Sequence, residues 1–271
     1  MHPHRLEPLF HEKVWGATAL EPWFPNSASK IGEAWYHFEG SPILVKFLFT
    51  TEKLSVQVHP DDAYAQAHEG SLGKTEMWHI LRAKPDAAVA LGFKEKISPE
   101  RMRESALSGE IMELLKWVPA QAGDTFFVPP GTVHALGAGL ALVEIQQYSD
   151  VTYRLYDYGR DRPLHLEKSM DVAFPGPHPG KSEADGAVIA ACDYFTVEKF
   201  VWREGFEYRP DSERFQLLIV TSGSGTIGRE AYRAGECWLV PACSEPFAFA
   251  PAESTGILRT YVGRASASDN F

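Results

Sequence analysis

The feature that most constrains the fold of this chain is a succession of short apolar runs separated by Gly, Pro and Asp. Ten runs of four to seven residues are predicted as strands: Ile43–Phe49, Leu54–Val58, Met77–Leu81, Ala87–Leu91, Thr125–Val128, Leu140–Ile145, Phe195–Val201, Phe215–Val220, Cys237–Val240 and Ile257–Val262. Many short strands at nearly regular spacing are typical of an all-β sandwich or barrel.

Helical patterns are confined to two places. Asp61 or Asp62 is expected to cap a short helix over residues 63–69. Ser98-Pro99-Glu100 has the cap, the first-turn proline and the acidic residue of a helix start. The apolar residues that follow predict a helical segment over about 96–118, which Pro119 would end.

An internal repeat divides the chain into two parts. The stretch 123–134 matches the stretch 235–246 at an offset of 112 residues, and the strand at Trp78 matches the one at Gln216 at an offset of 138. The 26-residue difference between the offsets is close to the length of the helical segment, which indicates an insertion into the first copy. A Pro- and Gly-rich stretch over residues 175–186 is the predicted linker. The sequence therefore predicts domains over 1–180, with the insertion, and over 186–271.

The first copy fits the pattern Gly-x5-Pro-x-Gly-x2-His, from Gly123 to His134, at every fixed position. This pattern resembles the second signature of cupin barrels. In the second copy, Cys243 and Pro246 take the places of Gly131 and His134, so that copy is expected to keep the fold without metal ligands. The predicted fold is mainly β, with two cupin (jelly-roll) β-barrel domains and a small helical insertion in the first.

Four polar residues could form a metal site inside the first barrel. Gln57 and His59 are two apart in a strand and therefore share one face, together with Ser55. Glu76 begins the next strand, and His134 follows the Pro-Gly turn. Two imidazoles, a carboxylate and an amide oxygen suit a divalent metal, and the histidines favour Zn²⁺, with Mn²⁺, Co²⁺ or Fe²⁺ as alternatives.

Charge and composition exclude several functions. Lys and Arg number 26 against 36 Asp and Glu, a net charge of −10, which disfavours nucleic-acid and anionic-membrane partners. No apolar run approaches the ~18–20 residues of a membrane span. The first ten residues lack the apolar core of a signal peptide, and three cysteines without a CxxC pair do not suggest a disulfide framework. We expect a cytoplasmic protein.

Several blocks together resemble type I mannose-6-phosphate isomerases (phosphomannose isomerases). The matching blocks occur in family order between about residues 8 and 172, whereas the second half resembles the family's second cupin domain only weakly. The blocks are Phe10-His-Glu-Lys-Val-Trp15-Gly, Leu54-Ser-Val-Gln57-Val-His59-Pro-Asp61, Gly73-Lys74-Thr-Glu76-Met-Trp, Val128-Pro-Pro-Gly131-Thr-Val-His134-Ala-Leu and Glu144-Ile-Gln-Gln-Tyr-Ser-Asp150-Val-Thr-Tyr-Arg154-Leu-Tyr-Asp-Tyr.

The resemblance implies a zinc-dependent aldose–ketose isomerase that interconverts mannose 6-phosphate and fructose 6-phosphate, with a small sugar phosphate as its partner. It assigns the metal ligands to Gln57, His59, Glu76 and His134, and further active-site positions to Ser55, Lys74, Glu144, Asp150 and Arg154.

An enediolate intermediate carries negative charge on oxygen, which a metal and an arginine stabilise. Glu144 is the first candidate for the general base, followed by Lys74 and a metal-bound water, and Arg154 is expected to act on the developing charge. Lys74 or Arg154 could hold the phosphate, with Arg160 as a weaker candidate, and Ser55 and Asp150 are expected to contact substrate.

Two other functions fit part of the pattern. A cupin oxygenase would use two or three histidines on Fe²⁺, and Gln57 in the place of a histidine argues against it. A non-catalytic cupin that senses a sugar phosphate would not need Lys74, Glu144 and Arg154 beside a complete ligand set. The sequence leaves open the preferred hexose, the general base, the role of Arg154 and the oligomeric state.

Overall fold

The computed structural model describes residues 2–263 as a mainly antiparallel β structure with four short helices in this range. The elements up to residue 172 are β1 (His4–Arg5), β2 (Leu9–Ala17), β3 (Ile31–Tyr36), β4 (Ile43–Phe49), β5 (Val56–Val58), α1 (Asp62–Glu69), β6 (Glu76–Ala83), β7 (Ala88–Phe93), α2 (Pro99–Ser108), α3 (Ile111–Leu114), β8 (Leu115–Pro119), β9 (Thr125–Val128), β10 (His134–Leu136), β11 (Leu140–Gln147), β12 (Tyr153–Tyr156) and α4 (Leu166–Val172). The remaining elements are β13 (Val188–Ala191), β14 (Thr196–Trp202), β15 (Phe206–Tyr208), β16 (Gln216–Ser222), β17 (Ser224–Ile227), β18 (Glu230–Arg233), β19 (Cys237–Val240), β20 (Phe247–Pro251) and β21 (Thr255–Tyr261).

The first barrel consists of two sheets, with strand orders β2-β3-β4-β11-β6-β9 and β12-β5-β10-β7-β8. Apolar side chains from both sheets, such as Leu48, Trp78 and Leu136, form the core between them. The helices pack on the outer face of the five-stranded sheet, where Met102 and Ile111 belong to one apolar cluster with strand residues such as Val58. One end of the barrel interior carries polar side chains, and this end contains the candidate site.

The helix starts agree with the sequence prediction, whereas the end of the insertion differs from it. Asp61 caps α1 by accepting a hydrogen bond from the Tyr64 N–H, and Ser98 caps α2 in the same way. The segment predicted to be helical up to Pro119 instead leaves the helix at residue 115 and forms β8, which pairs with β7. Its apolar residues contribute to the sheet, where Val118 lies directly opposite Val89. Helix α4 was not predicted.

The second barrel has sheets of order β1-β19-β16-β21-β14-β13 and β15-β20-β17-β18. The predicted fold class, mainly β with two cupin-like barrels, is confirmed. The short N-terminal strand β1 pairs with β19 and so joins the second barrel, although the sequence prediction assigned the start of the chain to the first. The predicted second domain runs to residue 271, and its residues 264–271 lie outside the described part, as does Met1.

The two barrels are related strand by strand. Gly123 and Gly235, which match at the offset of 112, both have a φ of +94°. Trp78 lies opposite Phe126 in the first barrel, and Leu218 lies opposite Trp238 in the second. The upstream strands therefore match at an offset of 140 residues, and the offset of 138 was wrong by two residues, a shift that leaves every side chain on the same face. Pro246 directly precedes β20, whereas His134 is the first residue of β10.

The barrels share one apolar core, formed by the outer faces of their six-stranded sheets. Strand β4 is buried on both faces, and Val45 and Phe47 point into this shared core while Lys46 and Leu48 point into the first barrel. Across the interface lie side chains such as Leu217. No helix within residues 2–263 combines the length and apolar character that a membrane crossing would need.

Candidate active site

Three adjacent strands bring polar residues together on the inner face of the five-stranded sheet. Gln57 of β5 lies directly opposite His134 of β10 on one side and opposite Arg154 of β12 on the other. His59 follows β5, and Glu76 begins β6 in the facing sheet. Strand pairing thus places residues that are up to 97 positions apart in sequence around one point inside the barrel.

His59, Glu76 and His134 form a buried group whose ligand atoms all lie within 4.8 Å of one another. The Nε2 atoms of His59 and His134 are 3.6 Å and 3.4 Å from the carboxylate oxygens of Glu76. Each imidazole bonds through Nδ1 to a backbone carbonyl, of Val151 at 2.9 Å and of Thr132 at 2.8 Å. These bonds place the proton on Nδ1 and leave Nε2 unprotonated, which is the tautomer that a metal requires. In this structure Lys74 Nζ lies 3.2 Å from His59 Nε2.

The protonation states of the two histidines also suit a cation. Burial, with the nearby charge of Lys74, lowers the pKa of His59 well below its usual range, and burial lowers the pKa of His134 to about 4. Both imidazoles are therefore neutral at pH 7. Neither carboxylate oxygen of Glu76 accepts a well-directed hydrogen bond from the described residues, although Lys74 Nζ is 2.9 Å from Oε2. A fully buried carboxylate without such bonds is a site that a divalent cation would satisfy.

The fourth predicted ligand, Gln57, contacts the group through its side-chain amide. Its Nε2 is 3.2 Å from His134 Nε2, and its Oε1 is 3.4 Å from the hydroxyl of Ser55, which donates to it. A half-turn of the amide exchanges the positions of oxygen and nitrogen and would direct the oxygen at the cluster. The residues present therefore fit a metal held by two imidazoles, a carboxylate and an amide oxygen.

A second polar row faces this cluster from the six-stranded sheet. Glu144 of β11 lies directly opposite Lys46 of β4 and Trp78 of β6. Its carboxylate is 3.2 Å from Lys46 Nζ and accepts a hydrogen bond of 2.9 Å from the Trp78 indole N–H. Burial raises the pKa of Glu144, but Lys46, Lys74 and the indole outweigh it and lower the pKa to about 2. Glu144 is therefore ionised at neutral pH.

Lys46 is a residue of this site that sequence reasoning missed. Its side chain is only 2% exposed and its ammonium lies 4.6 Å from the centre of the Trp35 ring. The signal was present in the sequence, because Lys46 is the one charged residue of the run Ile43–Phe49. A lysine inside a strand that is buried on both faces needs an acidic partner, and Glu144 provides it.

A cavity of about 230 Å³ opens beside the cluster. Its wall contains all five predicted residues outside the ligand set, together with Gln57: Ser55, Gln57, Lys74, Glu144, Asp150 and Arg154. Arg154 Nη1 donates to the Pro163 carbonyl at 2.9 Å, and its buried Nε has no acceptor within residues 2–263. Arg162 also lines the cavity, held by Asp157. Arg160, the weaker phosphate candidate, does not line it and pairs with Glu52.

Comparisons with known proteins agree with this arrangement. No protein-family model matches the chain. A mannose-6-phosphate isomerase of Streptococcus mutans is 35% identical over 295 residues, which cover 87% of this chain and 92% of the relative. The crystal structure of the mannose 6-phosphate isomerase of Bacillus subtilis superposes with a TM-score of 0.83 and 30% identity, covering 96% of this chain and 99% of that one. A mannose 6-phosphate isomerase solved with bound zinc and yttrium shares the fold, with a TM-score of 0.76, 14% identity and coverage of 97% and 100%.

Proposed function

Because the chain belongs to the mannose-6-phosphate isomerase family, we propose that it interconverts mannose 6-phosphate and fructose 6-phosphate as a zinc-dependent aldose–ketose isomerase. The observation that carries this proposal is the buried His59, Glu76 and His134 group beside a cavity lined with cationic side chains. The metal-binding unit corresponds to the proposed domain 1–180, and the second barrel, proposed as 186–271, supplies no equivalent of His134.

The proposed metal ligands are Gln57, His59, Glu76 and His134. A bound Zn²⁺ would supply Lewis acidity, which lowers the energetic cost of negative charge on the sugar oxygens. Zinc is preferred here because two neutral imidazoles and a carboxylate are frequent zinc ligands. A zinc-containing structure of the same fold supports this choice.

The isomerisation transfers one proton between C1 and C2 of the sugar and another between the oxygens on these carbons. Glu144 is the group that we assign as general base, because it is ionised and lines the cavity. Lys74 is a poor base: burial lowers its pKa, but Glu76 and Glu144 outweigh burial and raise the pKa above its usual value. Lys74 therefore remains protonated and stabilises negative charge next to the metal ligands.

The phosphate requires a cation that is not already neutralised. Lys46, Lys74 and Arg162 each have a carboxylate partner, whereas Arg154 has none within residues 2–263. We assign Arg154 to the charge of the substrate, either on the enediolate or on the phosphate, with Ser55 and Asp150 as further substrate contacts. A planar guanidinium binds phosphate and paired oxygens with two parallel hydrogen bonds.

An iron-dependent oxygenase is the second candidate, because two histidines and one carboxylate also form the ligand triad of non-haem iron enzymes. Family membership and the charged cavity favour the isomerase. For its cellular location we propose the cytoplasm, since Cys237 and Cys243 are not joined in disulfides, which suits a reducing compartment.

A coupled assay for fructose 6-phosphate formation tests the proposed function. The protein should convert mannose 6-phosphate, lose the activity in excess chelator and recover it when Zn²⁺ is restored. Consumption of O₂ with Fe²⁺ in place of isomerisation would support the oxygenase. Binding of mannose 6-phosphate without turnover in the zinc-loaded protein would support a sensor and contradict the isomerase.

A further inference from the structure

A tyrosine of the second barrel contacts the segment that carries Lys74 and Glu76. Tyr194 lies in the turn between β13 and β14, and its hydroxyl donates a hydrogen bond of 2.6 Å to Oδ2 of Asp62. Asp62 is the first residue of α1 and lies three positions after His59. The contact therefore joins the barrel without metal ligands to the metal-binding region of the first barrel.

The other oxygen of Asp62 holds the segment over residues 73–76. Oδ1 accepts hydrogen bonds from the backbone N–H of Gly73 at 2.8 Å and from the side-chain amide of Gln147 at 2.9 Å. The carbonyl oxygen of that same amide accepts the Thr75 N–H at 2.8 Å. One carboxylate thus fixes the backbone on both sides of Lys74, directly and through Gln147.

Close packing leaves this segment little freedom beyond these bonds. Lys74 N–H donates to the Pro60 carbonyl at 3.0 Å, and a Cβ on Gly73 would lie 2.5 Å from the backbone of Asp61. Gln147 and Gly73 are buried, whereas Asp62 and Tyr194 are half-buried. The network therefore runs from the surface between the barrels to the interior of the site.

We propose that Tyr194 is a positioning residue, through which the second barrel holds the 73–76 segment and so sets the placement of Lys74 and Glu76. This inference rests on the proposed function for its catalytic consequence, but its effect on metal retention is independent of turnover. It gives the second barrel a role at the site.

The ionisation states suit the network. Burial raises the pKa of Asp62, but the hydrogen bonds from Tyr194, Gly73 and Gln147 outweigh it and lower the pKa below its usual value. The hydrogen bond to Asp62, with burial, raises the pKa of Tyr194 to about 12, so the hydroxyl keeps its proton and donates. Asp62 then acts as an acceptor for all three donors at neutral pH.

The test compares Tyr194→Phe with Tyr208→Phe. Tyr208 also belongs to the second barrel, and its hydroxyl donates to the side-chain oxygen of Gln216 at 2.7 Å, away from the first barrel. Each variant loses one hydroxyl, and the Tyr208 hydroxyl also bonds Arg259 within the second barrel. We measure zinc release to a colorimetric chelator, kcat, KM and Tm for both.

We expect Tyr194→Phe to lose zinc about threefold to tenfold faster and to lower kcat by a similar factor, with a smaller change in KM. Substituting a residue that bonds a metal ligand directly typically lowers metal affinity or activity ~10–100-fold. The change expected for Tyr194→Phe is at or below that range, because Tyr194 acts through Asp62 and a peptide segment. Tyr208→Phe is expected to lower Tm without changing zinc release or kcat. Wild-type zinc release and kcat in Tyr194→Phe, or equal changes in both variants, would overturn the proposal.

A double variant separates positioning from general destabilisation. In Asp62→Asn, the network has already lost an acceptor, so adding Tyr194→Phe should change zinc release little further. Independent, multiplying effects of the two substitutions would contradict a shared network. A wild-type protein that retains zinc but does not isomerise the sugar phosphate would refute the proposed function, and the zinc-release measurements would still decide the role of Tyr194.

Discussion

Replacing Lys46 by methionine should destabilise the protein by about 3 kcal/mol, because it leaves the Glu144 carboxylate buried without its nearest cation. The two groups are 3.2 Å apart and nearly inaccessible to solvent. Against the effect of burial, Lys46, Lys74 and the Trp78 indole together lower the pKa of Glu144 from 4.5 to about 2, and Lys46 makes the largest contribution of the three. A difference of that size corresponds to about 3 kcal/mol in favour of the ionised form. Removal of one partner of a buried ion pair typically costs ~3–5 kcal/mol.

The assay is urea unfolding at pH 7 and constant zinc concentration for Lys46→Met, Glu144→Gln and the double variant. The double variant leaves no unpaired charge. Its free energy of unfolding should therefore exceed that of either single variant and lie within about 1 kcal/mol of the wild-type value. Lys168→Met is the control, because Lys168 pairs with Glu69 at the surface, where an ion pair is worth ~0–1 kcal/mol. Additive losses in the double variant would refute the reasoning.

Three further predictions concern the metal, the substrate charge and pH. His134→Ala should lose zinc and activity, whereas His79→Ala, which removes another buried histidine, should keep zinc in metal analysis. Arg154→Ala should lower kcat/KM by at least ~100-fold, with zinc content and Tm near wild type. Arg154→Lys should also lower kcat/KM, though by less, because lysine keeps the charge but lacks the planar guanidinium. Unfolding or zinc loss in the alanine variant would show a structural role. Because the folded-state pKa of Glu144 is lowered, its contribution to stability is present above pH 4.5 and lost as the pH falls towards 2, so urea titrations should show a shallower acid loss for Glu144→Gln.

Much of the fold could be predicted because apolar runs and turn residues report strands directly. The bounds of β4, β9 and β19 agree with the prediction at both ends. Strands such as β2 and β3 were missed, because their exposed or mixed patterns gain stability from pairing with neighbours that are distant in sequence. The sequence predicts helix where the structure has the strand at 115–119, because apolar spacing alone does not distinguish helix from strand over so short a run.

Site residues could be predicted where the spacing along one strand determines which face a side chain occupies. They could not be predicted where two residues meet only because distant strands pair. Alternation along one strand put Gln57 and His59 on one face, and the Pro-Gly turn placed His134. The pairing of Glu144 with Lys46 depends on which strands lie side by side, and the Tyr194 contact depends on how two barrels pack. The single charge in the run Ile43–Phe49 indicates that Lys46 needs a partner, but the identity of that partner is not encoded by nearby residues.

A buried pair of opposite charges occurs at matching places in both barrels, with the signs exchanged. Lys46 on β4 faces Glu144 on β11, and Glu198 on β14 faces Arg259 on β21, where Arg259 Nε donates to Glu198 at 2.7 Å. A slip of either strand by one residue would turn one charge into the apolar core between the barrels and leave the other alone inside. The two ion pairs therefore specify the register of the central strands, because any shifted register would leave a buried charge without its partner.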